Sequence, residues 1–187
     1  MEYLGLEHVL GDKKLEDVPL HVIHLNQDDP KKCTARKMQS LRIVKVHESL
    51  SRVPKRGFLL DPKSEKLLGP EDREMIGLGG SIVVLDCSWK KIDDSLRVLD
   101  KRTLLEGRVL PLLLAANPVS WGKIGRLSSA EALGASLAIL GKWAQASRVL
   151  SPFQFGSQFL ELNKEPLKAY SEAKNRRQLE EIQSDFF

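Results

Sequence analysis

Two stretches of this chain hold residue types that can bind or turn over a small ligand. The first is Asp86-Cys87-Ser88-Trp89, directly after the apolar run SIVVL at 81–85. An apolar run without alternation reads as a strand of a sheet covered on both faces. Open α/β sheets collect ligands outside the carboxyl ends of such strands. A carboxylate there can receive a cationic group, and an indole offers its face to an adenine ring or a sulfonium ion. A helix-capping acid followed by a core tryptophan would give the same four residues, and local sequence does not choose. The second stretch runs from Leu110-Pro111 through Asn117-Pro118-Val119-Ser120-Trp121-Gly122-Lys123. Its irregular loop leaves backbone N–H and C=O groups free to read the edge of a nucleobase. An ordinary surface connection is the other reading, although long loops without secondary structure are uncommon unless functional.

Other constellations carry less. Gly77-Leu78-Gly79-Gly80 precedes a strand, whereas the dinucleotide fingerprint needs its glycines after a strand and opening a helix. A turn into the 81–85 strand suits it better. The chain has no GxSxG elbow, Walker loop or HExxH helix. Its two cysteines, Cys33 and Cys87, form no CxxC pair, so neither a disulfide framework nor a zinc site is expected. His21 and His24 fall on opposite faces of a strand and cannot easily chelate one metal. No metal is expected.

The elements that must position these residues are legible as follows. Residues 1–18 form a variable extension without a signal-peptide core, and the protein is expected to be cytoplasmic. Strands are expected at 20–25, 41–46, 57–60, 81–85 and 108–115, and a short helix at 31–41. Pro70-Glu71-Asp72 is a helix start. Ser128-Ser129-Ala130-Glu131 has the form of a capping box opening a helix that stops at Gly141. A second helix covers 142–150, Ser151-Pro152 breaks it, and two amphipathic helices fill 156–184. The fold class is α/β: a strand-rich lobe over 1–108 and a helix-rich one over 109–187. With 187 residues, 42% of them hydrophobic, the chain can bury a real core, and its apolar runs are too short to cross a bilayer. The net charge is +4. Cations gather at 31–37 (Lys31, Lys32, Arg36, Lys37), around Arg56 and at Lys90. Solvated surface charge explains any one cluster; several flanking loops favour a nucleic acid.

The runs DPKKCTARK (29–37), DCSWK (86–90), RVLPLLLAANPVSWGK (108–123), LSSAEAL (127–133) and FGSQFLELNKEPLKAY (155–170) resemble, in order, the ribosomal RNA aminocarboxypropyltransferase family of ribosome biogenesis. The resemblance implies a SPOUT-like C-terminal domain over 109–187 with a deep trefoil knot, and S-adenosylmethionine as donor substrate. It implies that Thr34 meets the methionine carboxylate, that Leu60, Pro62 and Trp89 wall the adenine and sulfonium side, and that the Leu85 carbonyl binds the ribose. Leu110 and Gly125 would read the adenine edge through backbone groups, with Ser129 nearby. The chain departs from the pattern near Gly125, where an aromatic is common, and at Ser120-Trp121, where Asn-Tyr is common.

The implied reaction moves an aminocarboxypropyl group onto the ring imide nitrogen of a (1-methyl)pseudouridine in small-subunit ribosomal RNA. Asp86 would orient the donor's charged end and act as base. Lys31, Lys32, Arg36, Lys37, Arg56 and Lys90 would hold the RNA or a pre-ribosomal particle, and the resemblance implies a monomer away from membranes. A SPOUT-type methyltransferase and a non-catalytic RNA-binding assembly factor are the alternatives.

Overall fold

The computed structural model describes residues 17–24, 34–86 and 103–187. At its centre lies a five-stranded sheet in which every pairing is parallel. The strands are β1 (Leu20–His24), β2 (Lys45–His47), β3 (Gly57–Leu60), β4 (Ser81–Asp86) and β5 (Glu106–Arg108), in the order β2-β1-β4-β3-β5. Parallel neighbours require crossover connections, and helices supply them. Helix α1 (Thr34–Ser40) joins β1 to β2, and α2 (Arg73–Gly77) joins β3 to β4. Five helices end the chain: α3 (Ser129–Ile139), α4 (Trp143–Leu150), α5 (Gly156–Leu162), α6 (Lys164–Glu172) and α7 (Arg176–Phe186).

Burial follows the two-residue strand period. Leu20, Val22, Phe58, Leu60, Ile82 and Val84 face one core, which continues through Leu133 and Leu137 of α3 to Tyr170 and Leu179. On the opposite face Ile23, Leu59, Val83 and Leu85 form a smaller cluster. The larger core therefore draws on both sides of residue 108. Helix α3 is buried nearly all round, so it forms the hub of the helical layer rather than a surface helix. Ser128 caps it as expected: its hydroxyl accepts from Glu131 N at 3.3 Å, and the Glu131 carboxylate accepts from Ser128 N at 2.7 Å.

Three expectations need correction. The strand expected over 41–46 is only Lys45–His47. Arg42 stands at φ 57, and Ile43 N donates to Met38 O at 3.0 Å, closing the end of α1 in a left-handed turn. That closure uses the residues that would have begun the strand, and it leaves Leu41 exposed.

The strand expected over 108–115 ends at Arg108, and only isolated bridges at Val109 and Leu114 follow. Beyond it the chain is buried or half-buried; Val109 still pairs with the backbone at 66–68, and from Leu112 side chains of the C-terminal helical layer take over. Leu112 N donates to Gln183 Oε1 (2.8 Å), and Tyr170 Oη donates to Leu112 O (3.1 Å). Asn163 takes both groups of Leu114, accepting from N at 2.8 Å and donating to O at 2.9 Å.

Three helices, not two, fill 156–184. Asn163 ends α5, and Asn175 caps α7 by accepting from Gln178 N at 2.9 Å.

Candidate active site

A cavity of about 760 Å³ opens at the carboxyl ends of β3 and β4, within the ~300–1,000 Å³ usual for small-molecule sites. Leu60, Val84, Leu85 and Asp86 supply its floor, Thr34 enters from the first turn of α1, and Pro62 and Lys63 follow β3. The extended segment at 109–112 and the loop at 117–128 close the remaining wall, ending on Ser129 and Ala132 of α3. Eight residues singled out in the sequence thus line one cavity: Thr34, Leu60, Pro62, Leu85, Asp86, Leu110, Gly125 and Ser129. Trp89, Lys31, Lys32 and Lys90 lie outside the described residues, as do Cys33 and Cys87.

Asp86 ends β4 and is paired in register with His24 at the end of β1. The parallel register sets the two side chains beside each other, with His24 Nδ1 at 3.3 Å from Asp86 Oδ2. Ser129, at the first position of α3, donates its hydroxyl to Asp86 Oδ1 at 2.7 Å. The carboxylate is thereby fixed on both oxygens while its side chain stays partly open to the cavity. The N-terminal end of α3 adds a favourable dipole for the negative charge. Leu60, Pro62 and Leu110 add apolar surface to the same cavity.

Glu131 holds the loop in place. Fully buried, it accepts from Ala116 N (2.7 Å), Asn117 N (2.9 Å) and Asn117 Nδ2 (2.7 Å), besides Ser128 N. Asn117 in turn accepts from Ser120 N at 3.0 Å and donates to Arg126 O at 3.1 Å. One carboxylate therefore ties the start of the loop to its end and to the helix. The sequence reading gives Glu131 only its capping role, and it gives His24, Asn163 and Tyr170 no part in the site. Burial pushes the Tyr170 phenol up to about 12, so it remains a neutral donor to Leu112 O.

The described basic residues do different things. Arg36 and Arg56 are exposed, with Arg56 Nε reaching Met75 Sδ at 3.4 Å. Lys37 donates to Pro152 O at 2.7 Å and stands 4.9 Å over the Phe153 ring, docking α1 on the turn after α4. The glycines at 77–80 make the turn from α2 into β4, with Gly79 at φ 85, and none of them lines the cavity. His21 points away from His24 and stacks on His47, with Nδ1 and Nε2 2.8 Å apart. Burial, then His47 and then Lys45, lower the His21 pKa to about 4. Among the described residues no group of three or more metal-ligating side chains forms, and no helix is long and apolar enough to cross a membrane.

A parallel α/β sheet whose strand ends open on a cavity lined by an acid, apolar side chains and loop residues defines a protein of the class that holds a small molecule outside the carboxyl ends of its strands. Comparison with known proteins gives the particular family. Residues 58–187 match the family described as ribosome biogenesis protein, C-terminal. The 16S rRNA aminocarboxypropyltransferase of Methanosarcina mazei is 46% identical over 95% of this chain and 99% of its own length. That of Methanosarcina acetivorans is 47% identical over 91% of this chain and 95% of its own. Among solved structures, the SAM-dependent rRNA:acp-transferase Tsr3 from Vulcanisaeta distributa superposes with a TM-score of 0.76 at 31% identity, covering 90% of this chain and 97% of its own. The chain belongs to the 16S rRNA aminocarboxypropyltransferase family.

Residues 18–49 also match a family described as a possible Fer4-like domain in RNase L inhibitor. Cysteine-ligated iron–sulfur clusters take about four thiolates, and this chain has two cysteines in all. The residues present do not fit such a cluster.

Proposed function

We propose that this chain transfers the 3-amino-3-carboxypropyl group of S-adenosylmethionine to the ring imide nitrogen of a (1-methyl)pseudouridine in small-subunit ribosomal RNA. The reading belongs to ribosome biogenesis and has the protein act as a cytoplasmic monomer on RNA or an assembling particle. It rests above all on the convergence of Thr34, Leu60, Pro62, Leu85, Asp86, Leu110, Gly125 and Ser129 on one cavity. Those residue types suit the donor. Thr34 offers a hydroxyl to its carboxylate, and Asp86 a negative charge to its ammonium. Leu60 and Pro62 give apolar surface for adenine, and the family resemblance assigns the indole of Trp89 to the same ring. Backbone groups of Leu110 and the carbonyl of Gly125, whose N–H already donates to Leu113 O, can read the adenine edge, and the Leu85 carbonyl can take a ribose hydroxyl.

The bond that forms joins the imide nitrogen to the aminocarboxypropyl carbon, and the bond that breaks joins that carbon to sulfur. Methylthioadenosine leaves as a neutral thioether, and the imide proton is released to Asp86 or to water. A neutral leaving group makes neither a metal nor an acid obligatory. Three carbons share the sulfur, so positioning alone must select the one attacked. The target base has to leave its stack to reach the cavity.

We also propose that residues 109–187 form a SPOUT-like domain with a trefoil knot. This is supported by the way Asn163, Tyr170 and Gln183, all late in the chain, grip the segment at 112–114. Lys31, Lys32, Arg36, Arg56 and Lys90 would contact RNA phosphates, while Lys37 holds α1 against Pro152 and Phe153. The test is nucleoside mass analysis of the small-subunit RNA after deletion of the gene. The aminocarboxypropylated nucleoside should disappear and return on re-expression; an unchanged profile would overturn the reading.

A further inference from the structure

The loop after Asn117 holds three large apolar residues out in water: Val119 is 85% exposed, Trp121 57% and Ile124 50%. Scattered apolar residues on a surface need no explanation, but three within six positions beside a cavity do. The loop is ordered by backbone pairing. Gly122 N donates to Ala115 O (2.7 Å), Ala115 N to Lys123 O (3.0 Å), and Gly125 N to Leu113 O (2.9 Å). Gly122 at φ 72 and Gly125 at φ 69 make its turns, and Glu131 clamps its base. Val119 and Ile124 also line the cavity, with Lys63 and Arg126, whereas Trp121 stands outside the lining. Lys123 is exposed on the same loop.

We propose that Trp121 is a stacking platform for the nucleotide flanking the target base, with Lys123 meeting a neighbouring phosphate. The inference rests on the RNA-modifying reading and goes beyond it by giving the strand a path across the cavity mouth. Unpaired RNA presents flat base faces and a line of phosphates, and aromatic residues interleaved with cations complement both. A base drawn out of its stack leaves a neighbour exposed. An indole fixed on a rigid loop restores that stacking without having to be ordered first.

The test compares wild type with W121A, W121F and K123A, using anisotropy of a labelled small-subunit RNA fragment, calorimetry with S-adenosylmethionine, and steady-state transfer. W121A should weaken RNA affinity and raise the RNA KM by roughly tenfold or more, with donor affinity kept within about twofold. W121F should recover most of the loss, and K123A should flatten the salt dependence of RNA binding. Wild-type RNA affinity in W121A overturns the proposal and leaves the patch to another partner. If wild type binds RNA without transferring anything, the catalytic reading fails, while the W121A affinity ratio still decides the platform. If wild type binds no RNA, both fall.

Discussion

Asp86 receives a hydroxyl from Ser129 at 2.7 Å and has His24 Nδ1 at 3.3 Å, so its carboxylate enters the cavity already oriented. Asp86→Asn keeps the shape and deletes the charge. A hydrogen bond to a charged group is worth about 1.5–3 kcal/mol, so S-adenosylmethionine affinity should drop about ten- to hundred-fold in calorimetry. Unchanged affinity together with unchanged turnover would reduce Asp86 to an acceptor for Ser129. Asp86 was legible in the sequence because it directly follows an apolar strand, where α/β sheets place ligands. His24 was not. Only the register between β1 and β4 brings it alongside, and strand order does not show in local pattern. Lys37 teaches the converse, since a run of cations hides that one of them is committed to Pro152 and Phe153.

Among the elements, the loop between β5 and α3 depends most on long-range partners. The capping box at Ser128 and Glu131 could be read from four consecutive residues. The other three bonds of Glu131 could not, because they reach back to Ala116 and Asn117. Glu131→Gln turns an amide N–H toward groups that also donate, inside a fully buried site. An unsatisfied buried group costs about 1–3 kcal/mol, so thermal unfolding should move down by on the order of 5 °C, with weaker donor binding as the loop loosens. A variant with the wild-type Tm and donor affinity would show that the clamp is redundant. The segment at 109–116 misled for a related reason. Its apolar run has the composition of a buried strand, but side chains of Asn163, Tyr170 and Gln183 satisfy its backbone, and composition cannot reveal a partner of that kind.

For the whole molecule, the α/β class, the central β4 strand and the limits of α3 and α4 followed from apolar period and capping residues, whereas the division of 156–186 into three helices and the order β2-β1-β4-β3-β5 did not. Stability has its own pH signature at the β1–β2 edge. The His21 pKa is lowered from 6.5 to about 4 by burial, His47 and Lys45, so between those values the unfolded chain takes up more protons. The stability this residue contributes is fully present above pH 6.5 and is lost as pH falls toward 4. Melting curves should show a lower Tm at pH 5 than at pH 7, and His21→Gln should shrink that difference; an equal acid loss in the variant would contradict it. The central claim concerns which bond to sulfur breaks. The most direct measurement incubates the protein with small-subunit RNA and S-adenosylmethionine labelled either in the carboxyl group or in the methyl group. The account predicts label in the RNA from the carboxyl-labelled donor alone, with methylthioadenosine released. Label from the methyl group, with S-adenosylhomocysteine as the second product, would contradict it.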